Sequence, residues 1–309
     1  VGFGTAAVVP LANSWIGQLY DGPHKASRIA VFNLGLFVGG VVGFQTGGML
    51  GFPLAPLILA GLALIAAVLV LSRPEPMRPG AVVVASRASG ALPLPVSEPL
   101  RQQAARVWAV RPLRWIVVAT TTMAFAAGGY LEWFVEFLTD EKGMTEAQSL
   151  WLLVACLFAG LLGVISGGVL GDRWRRRSPI GRPATIVLGM AATAPCALLC
   201  VLLPLGSGFV AAAIATMYFI SWYHAPMAAT VDDLAPSRDR ATAQALVIFA
   251  MHLFGTAPGA SVVGLVSQRA GLTAAMLVPT GAVAVAAVVM AVATARIRAH
   301  TGSVGTPSV

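Results

Sequence analysis

Along the chain, apolar residues gather into nine stretches, each close to the roughly 20 residues that an α-helix needs to cross the hydrocarbon core of a bilayer. They cover residues 1 to 20, 28 to 50, 53 to 71, 115 to 138, 147 to 171, 183 to 203, 208 to 231, 241 to 268 and 273 to 296. Polar residues are confined to the intervals. Two intervals, Gly51 to Phe52 and Pro204 to Ser207, are so short that they can join only antiparallel neighbours. The pattern predicts an all-α membrane protein that runs up and down through the bilayer.

Composition agrees with the pattern. Of 309 residues, 57% are hydrophobic and 10% charged, and the mean hydropathy is +0.82, which is too apolar for an ordinary soluble domain. A net charge of +8 and a pI near 10.3 would suit a nucleic-acid binder if the basic residues shared one surface. They alternate instead. With Lys25 and Arg28 placed inside, the loops at 72 to 114, 172 to 182 and 232 to 240 and the C-terminal tail also lie inside, and together these regions hold 18 of the 20 basic residues. Only Lys142 and Arg269 fall outside, and the outer loop TDEKGMTEAQ carries Asp140, Glu141 and Glu146. Basic residues accumulate in cytoplasmic loops, so the charge reports topology and excludes nucleic acid as a partner. The expectation is an inner (plasma) membrane protein with a cytoplasmic C-terminus and membrane lipids as partners.

The same layout sets the domain organisation. A Pro- and Arg-rich stretch from Ser72 to Arg114 separates three spans from six. It divides the chain into a partial N-terminal bundle at 1–71, a cytoplasmic linker at 72–114, a six-helix C-terminal bundle at 115–296 and a tail at 297–309. Within the linker, residues 98 to 110 read either as a solvated connector or as an amphipathic helix. In the second reading Leu100, Val107 and Trp108 face the membrane while Arg101 and Arg106 face lipid phosphates. An odd number of spans with an inside C-terminus puts the start of the first span outside, which predicts preceding helices. A self-match at an offset of about 215 residues sharpens this: LYDGPHKASRIA resembles LAPSRDRATAQA, with Leu19 against Leu234, Lys25 against Arg240 and Ser27 against Thr242. If the first span corresponds to the seventh, three helices precede Val1 and the whole is two six-helix halves.

Residues 168 to 176 carry a glycine, an Asp172–Arg173 pair and two further arginines, Arg175 and Arg176. This resembles the loop motif of the major facilitator superfamily of secondary transporters, with Trp174 where a glycine is usual. Three stretches are similar to its Spinster-type lipid transporters: FAAGGYLEWFVEFLTDEKGMTEAQ at 125 to 148, PMAATVDDLAPSRDRATAQALVIFAMHLFG at 226 to 255, and SVVGLVSQ at 261 to 268. The resemblance implies alternating access by two rocking bundles, here helices four to twelve of twelve, and an amphipathic or lipid-like small-molecule substrate. A drug-efflux or sugar-phosphate permease of the same superfamily is the alternative, and a truncated, non-transporting membrane protein is the alternative of another class. Protons are a further candidate partner, although Thr5 and Thr256 stand where Spinster-like proteins tend to carry Glu and Asp.

Several residues follow as candidates. The resemblance implies that Gly168, Asp172 and Arg173 latch the cytoplasmic side, with Asp172 pairing with an arginine or capping a helix N-terminus. Arg175 and Arg176 read as part of that latch or as lipid anchors. On this reading Asp172→Asn slows alternating access without lowering abundance. Asp232 and Asp233 are expected to pair with Arg238 or Arg240. Gly39, Gly43, Gly47 and Gly48 resemble the antiporter motif, with Phe44 in place of its proline, and offer a face for close helix packing. Ionisable residues inside spans are functional candidates by default. These are Glu132 and Glu136, one turn apart beside Tyr130 and Trp133, and His252, which is either protonated in transport or a hydrogen-bonded core residue. Tyr218 and Trp222, with Ser221 and His224 nearby, read as aromatic substrate contacts or as core. Cys156, Cys196 and Cys200 lie in apolar runs without metal-ligand spacing. No cofactor is expected. Nothing resembles a catalytic triad, a paired-carboxylate site or a phosphate-binding glycine loop, so an enzyme is not expected.

Overall fold

The computed structural model describes residues 8–20, 22–72 and 98–304. Thr5, most of the 72–114 linker and the last five residues of the tail lie outside them. Among the described residues every regular element is helical. The chain opens with α1 (Val8–Leu19), α2 (Lys25–Leu50) and α3 (Leu54–Leu71), and resumes with a short α4 (Leu100–Ala109). Next come α5 (Arg111–Glu136), which runs on as a π-helix over Phe137–Glu141, then α6 (Glu146–Arg175) and α7 (Gly181–Leu202). The remainder is α8 (Ser207–Ile220), a 3₁₀ turn at Ser221–Tyr223, α9 (His224–Leu234), α10 (Arg240–Ala250), a π-helix at Met251–Thr256, α11 (Ala257–Ala270) and α12 (Leu272–Val304). Among the described residues, five segments are long and apolar enough to cross a membrane: Lys25–Gly43, Glu146–Arg175, Gly181–Leu202, Ser237–Ala270 and Leu272–Ala299.

Two interruptions depart from the unbroken spans that the apolar pattern predicts, and both precede a proline. Pro226 has no N–H for the carbonyl of Trp222 four residues earlier, and the chain tightens there into the 3₁₀ turn Ser221–Tyr223. Pro258 likewise has none for Phe254, and the preceding turn widens into π geometry. At the start of α6, Thr145 accepts from the Gln148 backbone while the Gln148 side chain accepts from the Thr145 N–H, a reciprocal cap.

The described residues form two compact units, Val1–Phe37 with Leu100–Val309, and Val38–Pro99. In the first, the α5, α7, α9, α10 and α12 helices bury Ile116, Met123, Ile186, Met190, Val247 and Met290 against one another. A second cluster around Phe137, Leu138, Phe209, Val263 and Met276 closes the end that carries the acidic loop. The helices approach closely because glycines face carbonyls and side chains of their neighbours. A Cβ at Gly259 or Gly163 would collide with the backbone of Phe125 or Tyr218. The second unit differs. Nothing lies within 4 Å of a Cβ built on Gly39, Gly43 or Gly47, so the expected packing face has no partner among the described residues. The surroundings of Phe44 and Gly48 lie outside the described side chains.

Lys142 fastens the acidic end. Its Nζ donates to Val201 O at 3.0 Å and Leu203 O at 2.8 Å, closing the C-terminus of α7, and stands 4.9 and 5.2 Å from the ring centres of Phe137 and Phe209. Lys142→Met should remove about 1–2 kcal/mol and lower the thermal midpoint in detergent by roughly 3–6 °C. A midpoint within 1 °C of wild type by fluorescence-detected gel filtration, roughly the resolution of such a scale, would show that the ammonium contributes nothing.

The linker helix α4 docks on protein. Arg106, expected to face lipid phosphate, makes a bidentate pair with Asp239, both bonds 2.8 Å, and Gln103 accepts from Thr242 Oγ1 at 2.6 Å. Val107 is buried in the core, while Leu100 and Trp108 remain exposed. The amphipathic reading placed Val107 with Leu100 and Trp108 on a membrane face. Its helical phase instead turns it inward with Arg106.

Candidate functional site

Two arrangements in the first unit bring together residues with chemistry. One lies at the arginine-rich end and is built on Asp172, at the last turn of α6. The carboxylate accepts from the backbone N–H groups of Ala26 and Ser27 at 3.1 and 2.7 Å, and from Ser27 Oγ at 2.7 Å. These are orphan donors of the first turn of α2, so an acid from another helix serves as its cap and meets its dipole. Arg182, in the first turn of α7, donates to the same carboxylate through Nε at 3.1 Å and Nη2 at 2.9 Å. Asp172 and Arg182 are both 2% exposed.

The network extends sideways. Arg182 also pairs with Asp233 and donates to Gly22 O at 2.7 Å. Lys25 Nζ bridges Asp232 at 2.7 Å and Asp233 at 2.8 Å, with Lys25 and Asp232 fully buried. Arg240 reaches Asp232 at 3.5 Å, as expected, but Arg238 turns to Asp239, at 3.9 Å. Small residues make this possible. A Cβ at Gly168 would lie 2.8 Å from Ala30 Cβ, and one at Gly17 would lie 2.5 Å from an Asp232 oxygen. The result is a buried, nearly charge-balanced cluster that joins α1 and α2 to α6, α7 and α9.

Its membership differs from the loop motif read in the sequence. Arg173 is exposed and has no ion pair among the described residues. Arg175 only approaches Asp233, at 3.9 Å, and Arg176 reaches the ring of His24. Lys25 and Arg182 take the central places. Trp174 is half-buried and its carbonyl accepts from Arg177 and Ser178, but nothing in the structure explains its side chain.

The second arrangement is a cavity of about 240 Å³ between α5, α6, α7, α8, α9 and α12. Its wall is almost wholly apolar or aromatic, from Phe134, Phe137, Met217 and Met276 among others, with Tyr130, Ser221, Tyr223 and His224 as the main polar groups. Tyr130 donates to Thr280 Oγ1 at 2.7 Å, since that hydroxyl already donates to Met276 O. Tyr223 ends the 3₁₀ turn and His224 opens α9, and both line the cavity. Their rings stack with centroids 4.2 Å apart, and Phe37 of α2 meets the imidazole edge-on at 6.2 Å.

Of the residues singled out in the sequence, Tyr130, Ser221, His224, Cys156 and Cys200 line this cavity, whereas Glu132, Glu136, Trp133, Tyr218, Trp222 and His252 do not. Trp133 donates from Nε1 to Ala260 O at 2.9 Å and packs on Gly264, a helix contact. Glu132 and Glu136 are exposed. His252 sits in the π segment and is exposed, so it is not a core histidine. Trp222 is wedged against Gly167 and Gly189, with Tyr218 edge-on to it. Sequence reasoning missed Tyr223 and left His224 as a bystander. The signal for both was helical spacing, since Tyr223 and His224 continue the stripe of Ala213, Thr216, Met217 and Ile220.

The family follows from comparison with known proteins. The model of the Major Facilitator Superfamily matches residues 1–181 of the chain. The chain belongs to that superfamily. Within the superfamily it is Spinster-like: protein spinster homolog 3 of Homo sapiens is 25% identical over 289 residues, covering 87% of this chain and 56% of the relative. The chain therefore spans little more than half the length of the curated relatives it matches. Among solved structures, the E. coli fucose:proton symporter FucP overlays with a TM-score of 0.71 at 17% identity, covering 92% of this chain and 72% of that one. A bacterial homologue of the human lysosomal transporter Spinster overlays at 0.53 with 17% identity, covering 91% and 72%. The superfamily's all-helical fold and the apolar helices make this an integral membrane protein.

Proposed function

We propose that the protein is a secondary active transporter that moves a small amphipathic or lipid-like solute by alternating access. The observation that carries this reading is the buried ion cluster, which ties the start of α2 to α6, α7 and α9 at the arginine-rich end. Nine membrane-spanning helices, a cytoplasmic arginine-rich end and a division into two bundles around the 72–114 linker belong to the same reading. So does the use of the apolar cavity as part of the solute path. The named functions of the relatives support a carrier rather than an enzyme, and the fucose:proton symporter among them makes protons the first coupling ion to test. Reconstitution in proteoliposomes, with uptake of a fluorescent lysophospholipid, ethidium and glycerol phosphate followed with and without a proton gradient, tests the proposal. Uptake of none of them above protein-free vesicles would count against it.

If the cluster is a closure that opens in each cycle, its geometry must be sensitive at Gly17. Gly17→Val would push its side chain into the Asp232 carboxylate and hold α1 away from α9. The expected result is about tenfold slower transport, equivalent to about 1.4 kcal/mol on the barrier. A cysteine placed at the buried Ser14, in a background without the native cysteines, should also react faster with a water-soluble maleimide. Unchanged reactivity would mean that this contact is static packing.

A further inference from the structure

We infer that the cavity takes an anionic apolar solute together with one proton, which His224 holds as the counter-charge. The inference rests on reading the cavity as a solute site. No Asp, Glu, Lys or Arg lines the cavity; its titratable groups besides His224 are Tyr130, Tyr223, Cys156 and Cys200. Phe37, which packs on the imidazole from α2, brings no charge. His224 is thus the one lining side chain of a residue type whose ordinary pKa lies near neutrality. It stands where the helix is broken, at the first residue after the 3₁₀ turn, an arrangement that aims side chains into sites rather than along a packed face.

A lone imidazolium in an apolar wall is costly, because nothing there replaces its lost hydration. An anion entering the cavity supplies that counter-charge. The Tyr223 ring face, stacked at 4.2 Å, attracts the charged imidazole more than the neutral one. Anion and proton therefore bind as a pair, each raising the affinity of the other by the same factor. A neutral solute of the same shape gains nothing from the proton.

The test uses the full chain in lipid nanodiscs and two probes, naphthalenesulfonate, which is anionic at every pH used, and naphthalenesulfonamide, which is neutral. Calorimetric titration between about pH 6.5 and 8 should show the sulfonate binding about tenfold more weakly per unit rise in pH, with the sulfonamide unaffected. Repeating the wild-type titration in buffers of different ionisation enthalpy should count one proton taken up per sulfonate, a readout that needs no variant. His224→Gln should remove the pH slope. Binding of the sulfonate with no pH slope, an unchanged slope in the variant, or binding of neither probe would overturn the inference. Proton-linked binding without any transport in vesicles would sink the transport reading alone, and transport with pH-independent sulfonate binding would sink this one alone.

Discussion

Asp172→Asn is expected to lower the thermal midpoint in detergent by roughly 10 °C and to cut transport at least tenfold. The sequence alone suggested a slower cycle at unchanged abundance. The structure changes that expectation, because Asp172 serves two partners at once. Its bonds to Ala26 N, Ser27 N and Ser27 Oγ cross from α6 to α2, whereas its bonds to Arg182 stay between α6 and α7. Asn has one acceptor oxygen, and its amide nitrogen would point a donor at donors. With its oxygen kept towards Arg182 the amide would face the Ser27 donors, and in either orientation Arg182, 2% exposed, loses its carboxylate partner, a breaking of a buried pair that costs about 3–5 kcal/mol. Ser27→Ala separates the two roles, since it removes only the hydroxyl bond towards α2. It should affect transport more than stability. A stable, fully active Asp172→Asn protein would show that the carboxylate is dispensable.

The second large effect is steric. Gly163→Leu should leave little folded protein, and Gly163→Ala should fall between it and wild type. At Gly163 even a Cβ meets the Tyr218 carbonyl oxygen, with Tyr218 C at 3.0 Å and Ser221 Cβ at 3.1 Å. A backbone carbonyl inside a helix cannot swing aside, so α6 and α8 would have to part, and overpacking of this kind costs about 1–3 kcal/mol or more. Leu162→Ala, one residue away on an exposed face, is the control and should change the midpoint by less than about 2 °C. Monodisperse Gly163→Leu protein with a wild-type midpoint would mean that the two helices are not in contact at this point.

These positions show what the sequence could and could not convey. Gly167, Gly168 and Asp172 were legible, because small residues and an acid at a helix end have few other uses in a membrane helix. Arg182 was not. In a count of basic residues by side it is one among many, and only the return of α7 beside α6 selects it over Arg173. Lys25 was visible as a repeat match but not as the partner of Asp232, which lies far along the chain. Tyr218 and Trp222 do share a face, as their spacing says, but that face meets glycines of α6 and α7. The cavity is lined by the neighbouring face of the same segment, Ala213, Met217, Ile220 and His224, which an unbroken helical template places together.

The π segment Met251–Thr256 contains the whole of His-Leu-Phe-Gly, the end of one of the three stretches similar to Spinster-type transporters. There the Ala257 N–H reaches back five residues to His252 O, so the segment holds one residue more than an α-helix of equal rise. Gly255 and Gly259 flank its end, and both lie against α5. In a sequence alignment, a relative whose helix is regular here will match this chain on one side of the segment and be out of phase on the other. A one-residue gap placed at the wide turn restores the correspondence. Without it, substitution statistics for everything from Pro258 to Ala270 would compare core positions with surface ones.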